Sequence, residues 1–174
     1  MRYYMKEYDL KKLLDSPQLV ENHIHKFIQE EVLKKEIFSS EEIEGHLLKA
    51  ENNLRFVQKN IGLEFIDWAI TGCYYACYHA ALSLILTRNY SSKNHLASLC
   101  VLIKEFYKKG LDEEDIKILN SFLDYQDILF YVESKNKRED ATYSTKTLFD
   151  KKEAEQLRIK AVLFVNKIKF MLQK

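Results

Sequence analysis

Turn-forming residues are scarce along the whole chain, which has only 4 glycines and 1 proline among its 174 residues. All-β sandwiches and barrels need turn residues every ten or so positions, so this scarcity argues against an all-β fold and favours long helices. Hydrophobic residues make up 47% of the sequence and aromatic residues 13%, enough for one substantial core. The sequence therefore predicts one folded, all-α unit.

Capping residues and apolar periodicity predict the individual helices. Ser16-Pro17 reads as an N-cap followed by a first-turn proline, and Ser39 with Glu42 three residues later is a capping-box signature. Ser91 or Ser92 is the predicted cap of a later helix that ends at Gly110, and Asp112 and Asp150 are predicted to cap the last two. The predicted helices cover about 17–35, 39–61, 64–88, 92–109, 112–133 and 150–172.

We predict an antiparallel up-and-down bundle of four to five helices with an N-terminal accessory helix. The segment 64–88 carries apolar or small residues on nearly every face, which is typical of a central helix, and Phe65 and Trp68 are predicted to lie in the core. Small residues on one side of this helix favour close approach of another backbone: Gly72, Ala76, Ala80 and Ser83. Residues 1–38 are predicted to form an accessory segment with one helix, and residues 39–174 the bundle.

Charge and cysteine content indicate a cytoplasmic protein. The formal net charge is +1, so no global field draws the chain to nucleic acid or to an anionic membrane, and any such binding must be local. The cysteines are odd in number, lie in apolar segments and follow no secretory signal, as expected for reduced thiols: Cys73, Cys77 and Cys100. The most apolar stretch, residues 65–86, is interrupted by polar residues and is interpreted as a buried core helix.

Two clusters in the middle of the chain have both a structural and a chemical interpretation. Cys73 and Cys77 lie one helical turn apart, but no second ligand pair accompanies them, so buried thiols are favoured over a metal site. TRNYSSKNH has two interpretations: Arg88 and a helix N-terminus bind an anion near His95, or Arg88 complements a helix C-terminus and His95 lies in a first turn. We expect no metal and no cofactor; the sequence has no phosphate-binding glycine loop.

Polar-tipped aromatic residues crowd the string YYACYHA, which contains Tyr75 and His79. These side chains are either core residues whose polar atoms find partners or residues that face a polar cleft or a dimer interface. Further on, the polar segment 134–149 contains Arg138 and Tyr143. A guanidinium can hold a phosphate bidentately and a phenol can stack on a base, although a charged loop of this kind can also be merely solvated.

The chain resembles the HEPN family, in particular the small stand-alone prokaryotic branch that is often found beside minimal nucleotidyltransferases. The resemblance spans roughly residues 42–172. It rests on AITGCYYACYHAALSLIL at 69–86, on SSKNHLASL at 91–99, and on REDATY at 138–143 ahead of a last helix containing AVLFVNKI.

This resemblance implies a bundle of four or five helices that commonly dimerises and brings two arginine motifs into one cleft. Many members resemble metal-independent endoribonucleases, in which an arginine orients the scissile phosphate and a histidine four to six residues later activates the ribose 2′-hydroxyl. Arg138 matches that arginine, and Ala141 and Tyr143 match an Arg-x-x-Ala-x-Tyr form of the motif. No histidine follows Arg138 in this chain.

The leading hypothesis is a homodimeric domain that binds RNA or a nucleotide, with Arg138 and Tyr143 as the candidate catalytic residues. The predicted binding residues add His79, His95 and Tyr75 to these two. One version is an endoribonuclease toxin paired with a nucleotidyltransferase-type antitoxin. Another is a non-catalytic nucleotide- or partner-binding module that works with such a partner, and a third is an interaction bundle without a ligand cleft.

Overall fold

The computed structural model of the protein describes residues 7–121 and 150–173. Within these ranges the chain is an antiparallel helical bundle with one two-stranded sheet, which confirms the predicted all-α class. Seven helices are seen: α1 (Glu7–Asp15), α2 (Pro17–Gln29), α3 (Ser40–Gly62), α4 (Ile66–Leu86), α5 (His95–Phe106), α6 (113–121 in the described part) and α7 (Lys151–Leu172). The strands β1 (Leu33–Lys35) and β2 (Tyr90–Ser92) pair antiparallel.

Helix α4 forms the centre of the bundle, as predicted. Most of its residues are buried, and it packs against α3, α5 and α7. Among the described residues it is the one helix that is long and apolar enough, by length and composition, to cross a membrane. Because most of that stretch is buried inside the protein, its apolar character is accounted for by the core of the bundle.

Local caps start the helices at the predicted places in several cases. The Ser39 hydroxyl accepts the N–H of Glu42, and the Glu42 carboxylate accepts the N–H of Ser39 at 2.9 Å, which completes the predicted capping box. Asp150 accepts the N–H of Glu153 at 2.7 Å and starts α7 in the same way. These short-range bonds fix where α3 and α7 begin.

The predicted helix 17–35 is too long, because α2 ends at Gln29. Glu31 adopts a positive φ of 56°, and the chain reverses so that Leu33–Lys35 can pair with Tyr90–Ser92. The N-terminal segment also contains two helices where one was predicted, because α1 precedes the predicted helix that Ser16 caps at Pro17. Strand pairing accounts for the early end of α2, whereas the start of α2 at Pro17 after the Ser16 cap agrees with the prediction.

The predicted cap of α5 at Ser91 or Ser92 is also wrong. The Asn94 side chain caps α5 by accepting the N–H of Ala97 at 3.0 Å. Ser91 and Ser92 lie in β2, where the Ser92 hydroxyl donates to the carbonyl oxygen of Val32 at 3.2 Å. Pairing with a distant strand therefore takes the serines that would otherwise have capped the helix.

The N-terminal helices belong to the same core as the rest of the bundle. Val20 and Ile24 of α2 are buried, as is Leu33 of β1, and α2 packs against α5. An ion pair of 2.8 Å joins Glu21 on α2 to Lys104 on α5. The division of the chain at residue 38 remains a prediction.

Phe65 and Trp68 do not lie in the core, contrary to the prediction. Their side chains are exposed at 56% and 60%, respectively, at the start of α4. A helix that is apolar all round gives no periodic sign of which positions face outward, so the sequence did not distinguish these two from the buried residues further along α4. Their position beside the α3–α4 turn leaves them in solvent.

Gly72 allows α3 and α4 to pack closely. A Cβ atom built on Gly72 would lie 2.7 Å from Cγ2 of Val57 and 3.0 Å from Cδ1 of Phe56, both on α3. The predicted close approach of a second backbone therefore occurs within the chain, between two neighbouring helices.

Candidate functional site

The three predicted binding residues that the structure describes lie in one group of aromatic and imidazole rings. Tyr75 and His79 are on α4 and His95 is the first residue of α5. We call this group the ring cluster; its members are His46, Tyr74, Tyr75, Tyr78, His79 and His95. The other two predicted site residues, Arg138 and Tyr143, lie outside the described residues.

Two turns of α4 supply four of the six rings. Tyr74 and Tyr78 are four residues apart on one side of the helix, and their rings are nearly parallel with centroids 5.9 Å apart. Tyr75 and His79 form a second such pair, with centroids 6.5 Å apart. Tyr74 is buried, whereas 40% of Tyr75 is exposed. The cluster therefore extends from the core to the surface of the protein.

His95 joins the start of α5 to this face of α4. The hydroxyl of Tyr74 lies 2.8 Å from Nε2 of His95, and the ring of Tyr78 meets the imidazole edge to face at a centroid distance of 4.7 Å. The Tyr78 hydroxyl donates to the carbonyl oxygen of Ser92 at 3.3 Å. Burial raises the pKa of Tyr78, so its phenol remains a protonated donor at neutral pH.

His46 is the member of the cluster that the sequence analysis missed. It projects from α3, and its Nδ1 lies 3.0 Å from Nδ1 of His79. The two residues stand at similar distances from the short α3–α4 turn, and this is the sequence signal that would have placed them opposite each other in an antiparallel helix pair. Both imidazoles are half-buried.

The environment keeps both imidazoles neutral at physiological pH. Burial, together with smaller effects of the neighbouring His46 and Lys49, lowers the pKa of His79 to about 4. Burial and Lys49 also lower the pKa of His46, against an opposing effect of Glu42. With both rings neutral, one Nδ1–H donates to the other Nδ1, and each ring keeps its Nε2 for another partner. The pair therefore offers hydrogen-bonding groups and ring faces rather than positive charge.

Comparison with known proteins identifies the family of this chain. The sequence profile of the HEPN domain matches residues 43–171. The chain belongs to the HEPN domain family. The match begins in α3 and ends in α7, so it includes every residue of the ring cluster and leaves α1, α2 and β1 outside.

Two curated HEPN relatives come from the archaeon Methanocaldococcus jannaschii. The protein named "Putative toxin MJ0142" is 32% identical over 129 residues, which cover 74% of this chain and 80% of the relative. The protein named "Putative toxin MJ0605" is 30% identical over 142 residues, which cover 82% of this chain and 96% of the relative. The similarity therefore extends over 80% of the first relative and 96% of the second.

The cysteines of this HEPN domain are buried thiols. Burial raises the pKa values of Cys73 and Cys100 to about 12 and that of Cys77 well above its usual value. Thiols held in this way are inert as nucleophiles and poor as metal ligands. Within residues 7–121 and 150–173, no group of three or more His, Cys, Asp or Glu side chains is placed to hold a metal ion.

Arg88 contacts an aromatic residue of α5 in the described part of the molecule. Its guanidinium stacks over the ring of Phe106, with Cζ 5.2 Å from the ring centroid. At the start of α5, the N–H of Ala97 is bonded to the Asn94 side chain. The contact of Arg88 with Phe106 is neither of the two roles predicted for it, and His95 contacts the tyrosines of α4.

Proposed function

We propose that this chain is a toxin-type HEPN domain that binds RNA or a nucleotide in the cytoplasm. The observation that carries the proposal is the ring cluster, in which the aromatic ring of Tyr75 and the imidazoles of His79 and His95 lie together at the surface of the helical bundle. Aromatic faces stack on bases of any sequence, and imidazole nitrogens can hydrogen-bond to base edges. The names of the two archaeal relatives support the toxin class.

Arg138 is proposed as the phosphate-binding residue of this function. A guanidinium forms bidentate, charge-assisted hydrogen bonds to phosphate oxygens, and in an endoribonuclease it would stabilise the charge that develops on the scissile phosphate. Tyr143, five residues later, is proposed to contact the base or the phosphate or to transfer a proton. Cleavage through the 2′-hydroxyl of RNA needs no metal ion. RNA cleavage that persists in the presence of a chelator would therefore distinguish this mechanism from that of a metal-dependent nuclease.

A non-catalytic binding module is the second candidate, and one feature of the sequence favours it. The histidines of the chain are at positions 23, 25, 46, 79 and 95, so none follows Arg138. An unperturbed tyrosine has a pKa near 10 and is a weak base at neutral pH. In this version the domain binds its ligand and a nucleotidyltransferase-type partner without cleaving RNA.

We further propose that the protein is a homodimer and that a nucleotidyltransferase-type protein acts as its antitoxin. A two-fold dimer would place two copies of Arg138 on related surfaces, as the family resemblance implies. Light scattering of the purified chain tests the dimer directly, and a monomer mass at tens of micromolar protein contradicts it. Co-purification with the product of a neighbouring nucleotidyltransferase gene tests the partner.

Binding and cleavage are separated by one set of assays on wild type, Arg138→Ala and Tyr143→Phe. RNA binding is measured by fluorescence anisotropy, cleavage by gel electrophoresis in excess EDTA, and folding by thermal melts. Loss of a charge-assisted phosphate contact should cost Arg138→Ala about 1.5–3 kcal/mol of binding free energy. Its free energy of unfolding should change by no more than about 0.5 kcal/mol, because Arg138 belongs to a polar stretch of the sequence.

The outcomes distinguish the candidates. Cleavage by wild type that is lost in Tyr143→Phe supports the endoribonuclease. Binding without cleavage in any condition supports the non-catalytic module. If Arg138→Ala binds like wild type and melts at a much lower temperature, the arginine is structural and the proposed role of Arg138 is wrong.

A further inference from the structure

Exposed aromatic residues follow one side of the α3–α4 helix pair beyond the ring cluster. On α4, Trp68, Gly72, Tyr75 and His79 recur at spacings of four, three and four residues, so they lie on one face of the helix. On α3, a similar spacing places His46, Lys49, Asn53, Phe56 and Asn60 on one face. The contacts between the two helices bring these faces side by side.

Two contacts establish that the faces adjoin. At one end, the Nδ1 atoms of His46 and His79 are 3.0 Å apart. Further along, the position that a Cβ of Gly72 would occupy is 3.0 Å from the ring of Phe56. Because Gly72 has no side chain, the Phe56 ring lies against α4 between the positions of Trp68 and Tyr75. We call the resulting surface the aromatic strip, composed of Trp68, Phe56, Tyr75, His79 and His46.

The rings of the aromatic strip are open to solvent. Trp68 is 60% exposed, Phe56 43% and Tyr75 40%, and the two histidines are half-buried. Along α4, the strip runs for on the order of 16 Å, at a rise of about 1.5 Å per residue from Trp68 to His79. Contiguous exposed aromatic surface of this kind marks a binding site more often than isolated exposed rings do.

The charge of the two faces suits an anionic ligand. Lys49 is the one charged residue among the positions named, and the α3 face reaches an acidic residue only at Glu42, beyond His46. Glu42 lies one turn before His46, where its carboxylate accepts the N–H of Ser39 in the α3 capping box. Asn53 and Asn60 each donate one N–H to their own helix, and an amide has a second N–H and a carbonyl oxygen for other partners.

We infer that the aromatic strip binds single-stranded RNA, with bases stacked on Trp68, Phe56 and Tyr75 and the phosphate chain near Lys49. This inference rests on the proposed function and specifies its ligand as a single strand. Only unpaired bases can insert their faces against protein rings, whereas an A-form duplex presents mainly its backbone and shallow groove. Amides and neutral imidazoles beside the rings can bond to base edges without imposing a strong sequence preference.

Trp68 provides a direct probe because it is the one tryptophan in the sequence. Titration of the full-length protein with single-stranded oligouridine or oligoadenosine should quench its fluorescence as a base stacks on the indole. A duplex of the same length should bind less tightly and leave the fluorescence nearly unchanged. Binding to dye-labelled single strands is measured in parallel by anisotropy, so that Trp68→Ala can be compared with wild type.

Each of Trp68→Ala, Phe56→Ala and Tyr75→Ala should weaken binding at least about fivefold, the lower end expected for loss of one base–ring stack. Phe170→Ala is the matched control, because Phe170 is a 58% exposed aromatic residue on α7. It should bind like wild type. Thermal melts verify that all four variants are folded before their affinities are compared.

Three outcomes overturn the inference, and each has a different consequence for the proposed function. If wild type binds single strands and only Arg138→Ala weakens binding, the aromatic strip is not the RNA site, and the proposed function stands. If wild type binds no RNA at all, the proposed RNA-binding function fails together with the strip. If Trp68→Ala or Tyr75→Ala converts a dimer to a monomer in light scattering, the strip is a contact between copies of this chain.

Discussion

Nδ1 of His46 on α3 lies 3.0 Å from Nδ1 of His79 on α4, so the two imidazoles share one proton between their facing nitrogens. A protonated ring can still donate to a neutral neighbour, but once both rings are doubly protonated neither Nδ1 can accept, and the two positive charges repel each other. It links two helices that the short α3–α4 turn already places side by side. The pair is therefore a pH-sensitive contact in the folded protein.

We predict that protein stability falls as pH decreases below neutrality. The pKa of His79 is lowered to about 4 in the folded state by burial and by His46, whereas an unfolded histidine titrates near 6.5. Between these values the unfolded chain binds more protons, so the contribution of the pair is complete above about pH 6.5 and is lost as pH falls toward 4. Because the ring is half-exposed and solvent screens it, we expect a loss of about 1 kcal/mol.

Urea unfolding at about pH 7.5 and about pH 5.5 measures this effect, and His79→Gln tests its origin. Glutamine retains a donor and an acceptor for His46 without taking up a proton, so the variant should lose less stability between the two pH values. His25→Gln is the control, because the His25 side chain is 68% exposed on α2. Parallel pH profiles for wild type and His79→Gln would contradict the proposed role of the pair.

Gly72→Ala should destabilise the protein by about 1–3 kcal/mol, the range for overpacking a filled core. The added methyl would lie 2.7 Å from Cγ2 of Val57, which is fully buried and, as a β-branched side chain, has few alternative rotamers. Gly45→Ala on α3 is the matched control, since nothing lies within 4 Å of its added Cβ. That variant should be more stable by about 0.5–1 kcal/mol, because alanine favours helix. Thermal melts compare the two, and equal melting temperatures would mean that the helices can separate at no cost.

Trp68→Ala should leave the free energy of unfolding within about 1 kcal/mol of wild type, since the indole is 60% exposed. Phe164→Ala should lower the free energy of unfolding by about 3–5 kcal/mol, because the Phe164 ring is 1% exposed on the core-facing side of α7. Chemical denaturation followed by circular dichroism gives both values. A large loss for Trp68→Ala would restore the sequence prediction that this residue belongs to the core.

Local signals determined which parts of this fold could be predicted from the sequence. The capping box of Ser39 and Glu42 and the cap at Asp150 depend on residues three positions apart, and both are found where predicted. Ser92 carried an equally good capping signal, but it pairs with Leu33, 59 residues earlier, and Asn94 caps the helix instead. The residues around Ser92 do not indicate a partner so distant in the sequence.

The candidate site shows the same limit. Tyr75 and His79 lie in one helix, so their proximity followed from a spacing of four residues. His46 joined them through the antiparallel pairing of α3 with α4, which the periodicity of either helix alone does not give. The predicted contribution of Arg138 and Tyr143 stays a prediction, because both lie outside the described residues.

The last prediction concerns the N-terminal segment, which lies outside the matched HEPN region and was expected to be accessory. Ile24 on α2 is 1% exposed within the common core, whereas Ile28, one turn later, is 36% exposed. Ile24→Ala should therefore cost about 2–5 kcal/mol and Ile28→Ala much less, although both remove the same atoms from the same helix. Two-state loss of all helical signal in the Ile24→Ala melt would show that α2 and the bundle unfold together. An early, separate transition in that melt would instead show that residues 1–38 fold independently of the bundle, as an accessory segment would.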